Sequence, residues 1–143
     1  MKVLIDSNVA LNKLLKQPDF FAGSNTMFNL AEIGQIKGYI SASAITDIYY
    51  IARKSLGKEA AREALKKMLL VFQPAAVTGD DIFKALDLEW GDFEDSVQYV
   101  VGESLAVDYI VTRNTKDFAF GSISAVTPEQ FILIITEDDE KNE

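Results

Sequence analysis

Short apolar runs rich in β-branched residues alternate with stretches of helical spacing along almost the whole chain. Val3-Leu4-Ile5 reads as a buried strand, and Tyr39-Ile40-Ser41-Ala42, Ala75-Ala76-Val77, Tyr109-Ile110-Val111-Thr112 and Ser124-Ala125-Val126 follow it. Between them lie helical spacings over 9–15, 20–37, 44–54, 58–72, 79–90 and from Asp92 to Leu105. Gly38 is read as a C-cap and Ser43 as an N-cap. Ala61, Leu65, Met68, Leu69 and Phe72 form one helical stripe, which Pro74 ends. Pro128 stands at the first position of a last helix. Strands that alternate with helices form a parallel sheet covered on both faces. The expectation is an α/β fold: a three-layer α/β/α domain with a mainly parallel sheet of about five strands. It spans residues 1–136, and the acid-rich residues 137–143 read as a frayed tail. In such sheets the ligand site lies beyond the carboxyl ends of the strands.

Composition narrows the chemistry at that edge. The 143 residues include no Cys and no His. Disulfides, thiolate zinc sites, cysteine nucleophiles and Ser–His systems are excluded. Any metal must be held by oxygen, which favours Mg²⁺ or Mn²⁺. Lys and Arg number 14 against 22 Asp and Glu, a formal net charge of −8, which argues against a broad basic face for nucleic acid. No run approaches the ~20 apolar residues of a membrane span. The first residues lack the pattern of a signal peptide, so a cytoplasmic location without membrane contact is expected.

Acids and amides fall at one predicted edge. Asp6 ends the first strand, and Asp47 lies in the first turns of the helix after the second. Asp92 and Asp95 open the helix before the fourth strand, and Asn114 and Asp117 follow that strand. Two carboxylates about 4 Å apart repel by roughly 4 kcal/mol at an effective dielectric near 20. One must take up a proton, or a cation must sit between them. A carboxylate-held Mg²⁺ or Mn²⁺ activates water and supplies local positive charge to a phosphodiester. The plain alternative is that each Asp caps a helix or meets its dipole, as the spacing of Asp92 to Asp95 suggests.

In four segments the chain resembles the PIN-domain family of VapC-like ribonuclease toxins. They are Val3-Leu4-Ile5-Asp6-Ser7-Asn8, Ala42-Ser43-Ala44-Ile45-Thr46-Asp47-Ile48, Asp92-Phe93-Glu94-Asp95-Ser96-Val97-Gln98, and Tyr109 to Phe118 with its Thr112-Arg113-Asn114. The resemblance covers nearly the whole chain, residues 1–136, and implies a PIN-like domain. It implies hydrolysis of RNA phosphodiesters by a metal-activated water, in the toxin of a type II toxin–antitoxin pair. Asp6 and Asp95 would be the main metal ligands. Asp47 would hold a second metal or a water, and Asn114 and Asp117 would complete the shell. Ser7 and Thr112 would orient water or ligands, and Arg113 would meet a phosphate or stand as a solvated loop charge. An RNA substrate, a cognate antitoxin and a homodimer are the partners implied. Position 47 is Asp where the family usually has Glu, and Asn114 stands where Asp is frequent. Those departures motivate a second reading, a weak or inactive PIN-like module that binds RNA or protein.

Arg53, Lys54, Lys58, Arg62, Lys66 and Lys67 concentrate basic charge in one stretch. Lys58, Arg62 and Lys66 either track an RNA backbone or form the wet face of an amphipathic helix with Glu59 and Glu63. Phe20, Phe21, Met27, Phe28 and Leu30 are core or, in part, an antitoxin docking face. A phosphatase-like domain would need a second acid near Asp6, and Ser7-Asn8-Val9-Ala10 offers none.

Overall fold

A computed structural model describes residues 1–141. Five strands form one sheet in the order β3-β2-β1-β4-β5, every pair parallel. They are β1 (Lys2–Ile5), β2 (Lys37–Ser41), β3 (Phe72–Ala75), β4 (Tyr109–Val111) and β5 (Ser124–Val126). The helices are α1 (Ser7–Leu14), α2 (Phe21–Glu32), α3 (Ala42–Leu56), α4 (Lys58–Val71), α5 (Gly79–Asp87), α6 (Phe93–Leu105) and α7 (Pro128–Lys141). A 3-10 turn spans Thr115–Phe118.

The side-chain period of two sorts the strands onto two cores. Val3, Ile5, Ile40, Phe72 and Val111 face a cluster shared with Val9, Met27, Ile48, Met68 and Phe131. Leu4, Tyr39, Ala75 and Ile110 face the other, shared with Ala85, Val97, Val100 and Val101. Helices α1 to α4 and α7 therefore cover one face, and α5 with α6 the other. The expected three layers and five strands are present. The chain leaves β1 towards β3 and returns to β4 on the opposite flank of β1. The sheet's switch point thus lies between β1 and β4, where a crevice opens at the carboxyl ends.

Several boundaries differ from the expectation, each for a local reason. Helix α2 stops at Glu32, and Gly34 takes a left-handed φ of 79°. Gly38 is not a cap: it lies inside β2, where any Cβ would run into the Phe72 ring. Ser41 rather than Ser43 caps α3, its hydroxyl accepting from Ala44 N–H at 3.2 Å. The third strand is Phe72–Ala75, not Ala75–Val77, with Pro74 inside it. An edge strand tolerates proline because one row of its backbone groups faces away from the sheet. Helix α7 runs through Glu137 to Lys141, where a frayed tail was expected, and residues 142 and 143 lie outside the described residues. Among the described residues no helix is long and apolar enough to cross a membrane.

Candidate active site

Asp6 sits where β1 gives way to α1, and it is the N-cap of that helix. It is 5% exposed, yet its carboxylate collects donors from four residues. Ser7 N–H reaches Oδ1 at 2.7 Å and the Ser7 hydroxyl reaches the same oxygen at 3.3 Å. Gln98 Nε2 donates to Oδ1 at 3.0 Å. Thr112 Oγ1 donates to Oδ2 at 2.8 Å, and Asn8 Nδ2 reaches Oδ2 at 3.3 Å. Burial alone would penalise this charge, and the donors offset that penalty. Thr112 follows β4, so both sides of the switch point meet on one carboxylate.

The other acids arrive from α3, α6 and the 3-10 turn. Glu94 and Asp95 occupy the first turn of α6, with Asp92 as N-cap accepting from Asp95 N–H at 3.0 Å. The capping role read from the sequence for Asp92 is therefore present, alongside a charge aimed at the cluster. Partial burial, then the charges of Asp92, Asp6, Asp117 and Glu94, push Asp95 from its ordinary 3.8 up to about 7. Partial burial, then the charge of Asp47 and a hydrogen bond to it, then Asp6 and Asp92, push Glu94 from 4.5 to about 7. Asp47, Asp6 and Asp92 thus lie within electrostatic reach of Glu94, and Asp92, Asp6, Asp117 and Glu94 within reach of Asp95.

Two contributors escaped the sequence reading. Glu94 stands beside Asp95 in the first turn of α6, which projects adjacent residues towards one end. Gln98 carries no charge and sits mid-helix, so no sequence pattern marked it. Its spacing of three and four residues from Asp95 and Glu94 was the available signal.

Other expected residues take different places. Ser7 and Thr112 act directly on the Asp6 carboxylate. Asn114 joins the edge through its backbone N–H, which donates to Thr112 Oγ1 at 3.0 Å. Arg113 is not a solvated loop charge: its side chain is 14% exposed. Its guanidinium donates to Asn12 Oδ1 at 3.0 Å, Phe20 O at 2.9 Å, Ser24 Oγ at 3.4 Å and Glu129 Oε2, and stacks over the Phe20 ring. The geometry ties α1, the start of α2 and α7 together and leaves little of its fork free. Lys58, Arg62 and Lys66 are exposed on α4, and Lys66 pairs with Glu63 at 3.8 Å.

The donor set is chemically suited to a hard divalent cation, since it is all oxygen and carries uncompensated like charge. Among the described residues, no three carboxylates already stand close enough to hold an ion together.

A parallel α/β sheet with carboxylates gathered at its switch point defines a class of acid-centred α/β domains. A family model described as PIN domain matches residues 2–116, and the chain belongs to that family. Its fold is that of VapC toxins. A toxin–antitoxin complex from Klebsiella pneumoniae matches with TM-score 0.66 at 23% identity, over 88% of this chain and 97% of that one. VapBC2 from Rickettsia felis, bound to a promoter DNA fragment, matches with TM-score 0.67 at 19% identity, over 88% and 97%. Mycobacterium tuberculosis VapC20, described as a sarcin–ricin loop cleaving toxin, matches with TM-score 0.68 at 13% identity, over 83% and 95%. No curated protein is significantly similar to the chain.

Proposed function

We propose that this protein is a metal-dependent endoribonuclease that hydrolyses RNA phosphodiester bonds, the toxin of a type II toxin–antitoxin pair acting in the cytoplasm. The observation that carries the reading is the convergence of Asp6, Asp47, Glu94, Asp95 and Asp117 at the switch point, with Glu94 and Asp95 pushed up to about 7 by partial burial and then by like charge. Such a cluster is unfavourable until positive charge joins it. Asp6 and Asp95, with Asp47, Glu94 and Asp117 around them, would hold Mg²⁺ or Mn²⁺. When bound, the ion would polarise a phosphoryl oxygen and acidify a water. Ser7 and Thr112 fix the Asp6 carboxylate, and Asn114 braces Thr112. Membership of the PIN family and the likeness to a toxin that cleaves the sarcin–ricin loop support RNA as substrate.

An antitoxin partner is supported by the likeness to toxin–antitoxin complexes. A homodimer would cover Ile82, Phe83 and Leu86, which stand exposed on one face of α5. Lys58, Arg62 and Lys66 would track the RNA backbone. Replacing all three with Gln should weaken RNA binding and flatten its salt dependence, and unchanged binding would remove them from the interface.

The deciding experiment is RNA cleavage with Mn²⁺ or Mg²⁺, with and without chelator, comparing the wild type with Asp6→Asn and Asp95→Asn. Circular dichroism checks that each variant folds. Cleavage that needs metal and disappears in both folded variants is the expected result. A second reading, a PIN module that binds RNA or protein without cutting, is favoured by one observation: both Asp6 oxygens are already occupied by donors. Calorimetric titration with Mn²⁺ separates the two, because a site that binds no metal cannot run this chemistry.

A further inference from the structure

Among the described residues, Gln98 Oε1 is the buried side-chain polar atom left without a hydrogen-bond partner. Gln98 is 1% exposed and lies in α6 one turn below Glu94 and Asp95. Packing does not account for it. Leu or Met would fill a similar volume beside Val97 and Val101 without enclosing an unpaired carbonyl. A buried unsatisfied group in a folded protein calls for a compensating role.

The other end of the same amide supplies one. Gln98 Nε2 donates to Asp6 Oδ1 at 3.0 Å. Of the donors on that carboxylate, Ser7 and Asn8 belong to its own turn and Thr112 to the neighbouring strand. Gln98 is the one that comes from α6, the helix that also carries Asp95. It therefore sets the position of Asp6 against the helix bearing the other principal acid.

We propose that Gln98 is a positioning residue for the metal site: its amide locks the Asp6 carboxylate to α6, fixing where Asp6 and Asp95 present their oxygens to a divalent cation. The inference rests on the nuclease reading above. Gln98 itself touches neither metal nor RNA. Partners that orient ligating groups typically govern metal affinity or activity by about 10- to 100-fold when removed.

The test is Gln98→Met, which keeps length and volume and deletes both amide atoms. Mn²⁺ affinity is read by calorimetry and folding by circular dichroism and the urea midpoint. RNA cleavage is resolved into kcat and KM. The expected result is a Mn²⁺ Kd raised about 10- to 100-fold, a lowered kcat, an unchanged KM for RNA and a near-wild-type unfolding midpoint. Equal Mn²⁺ affinity in the folded variant overturns the role of Gln98 and leaves the nuclease reading standing. A wild type that binds no Mn²⁺ overturns the nuclease reading, and the inference falls with it. If Gln98→Met fails to fold, Gln98→Asn keeps the amide but shortens its reach. It should show the same loss of affinity, and wild-type affinity there overturns the proposal.

Discussion

Asp6 and the pair Glu94–Asp95 share one sheet edge and the same charge type, but the protein treats them in opposite ways. Asp6 is buried and surrounded by donors from its own turn, from α6 and from beyond β4. Glu94 and Asp95 stand at a helix start facing other acids, and partial burial first, then those charges, push both up to about 7. One carboxylate is built into the fold as a satisfied charge. The others are held in place by a helix that gains nothing from their mutual approach. The difference teaches that a cluster of acids is not one electrostatic object. Its anchor contributes to stability, and its rim opposes stability until a cation arrives.

The sharpest way to break this contrast is to remove the anchor. Asp6→Ala leaves the buried Thr112 hydroxyl and Gln98 amide without their acceptor. It should cost about 3 kcal/mol in metal-free urea unfolding at neutral pH. A stability gain instead would place Asp6 with the repelled acids. Next comes the tie beside it. Arg113→Met removes four side-chain hydrogen bonds between α1, α2 and α7 and should cost about 2 kcal/mol by the same measurement, its exposed partner Glu129 adding little.

The rim should show itself through pH. Glu94 and Asp95 hold their protons more tightly folded than unfolded, so the folded state binds more protons between their ordinary and raised values. Metal-free stability is then greatest below about 4 and declines as pH rises towards about 7. The double variant Glu94→Gln, Asp95→Asn should flatten that decline, and saturating Mn²⁺ should flatten it in the wild type. A slope of the opposite sign in metal-free thermal melts would refute the assignment. The smallest effect is expected from Asp92→Ser, which keeps a capping oxygen and deletes a charge. Stability should move by only a few tenths of a kcal/mol. Asp95 should titrate closer to its ordinary range in a carbon-detected carboxyl NMR experiment.

Much of this was legible in the residues. The apolar runs at Val3–Ile5 and Tyr109–Val111 identified the two central strands, because strands buried on both faces read as continuous hydrophobic sequence. Asp6 and Asp95 were found because the carboxyl-edge rule points at strand ends and helix starts. Boundaries failed where a tertiary neighbour overruled a local signal. Gly38 looks like a helix stop but is needed where the Phe72 ring crosses β2, and Pro74 also looks like a helix stop but lies inside an edge strand. Arg113 reads from its loop position as a phosphate contact or a solvated charge, and the partners its guanidinium takes come from residues 12, 20, 24 and 129.

By itself, the order of elements determined a parallel three-layer α/β domain, and the absence of Cys and His determined that its chemistry must run on oxygen ligands. Periodicity and residue inventory are local properties, and they survive without knowledge of contacts. Only the tertiary structure decided which acid is anchored, that Glu94 joins the cluster, and that a neutral glutamine from α6 holds the first aspartate. Those depend on burial and on partners more than 90 residues apart, as in the contact of Gln98 with Asp6. Whether a carboxylate is satisfied or repelled is set by what surrounds it in space, and no spacing along the chain encodes that.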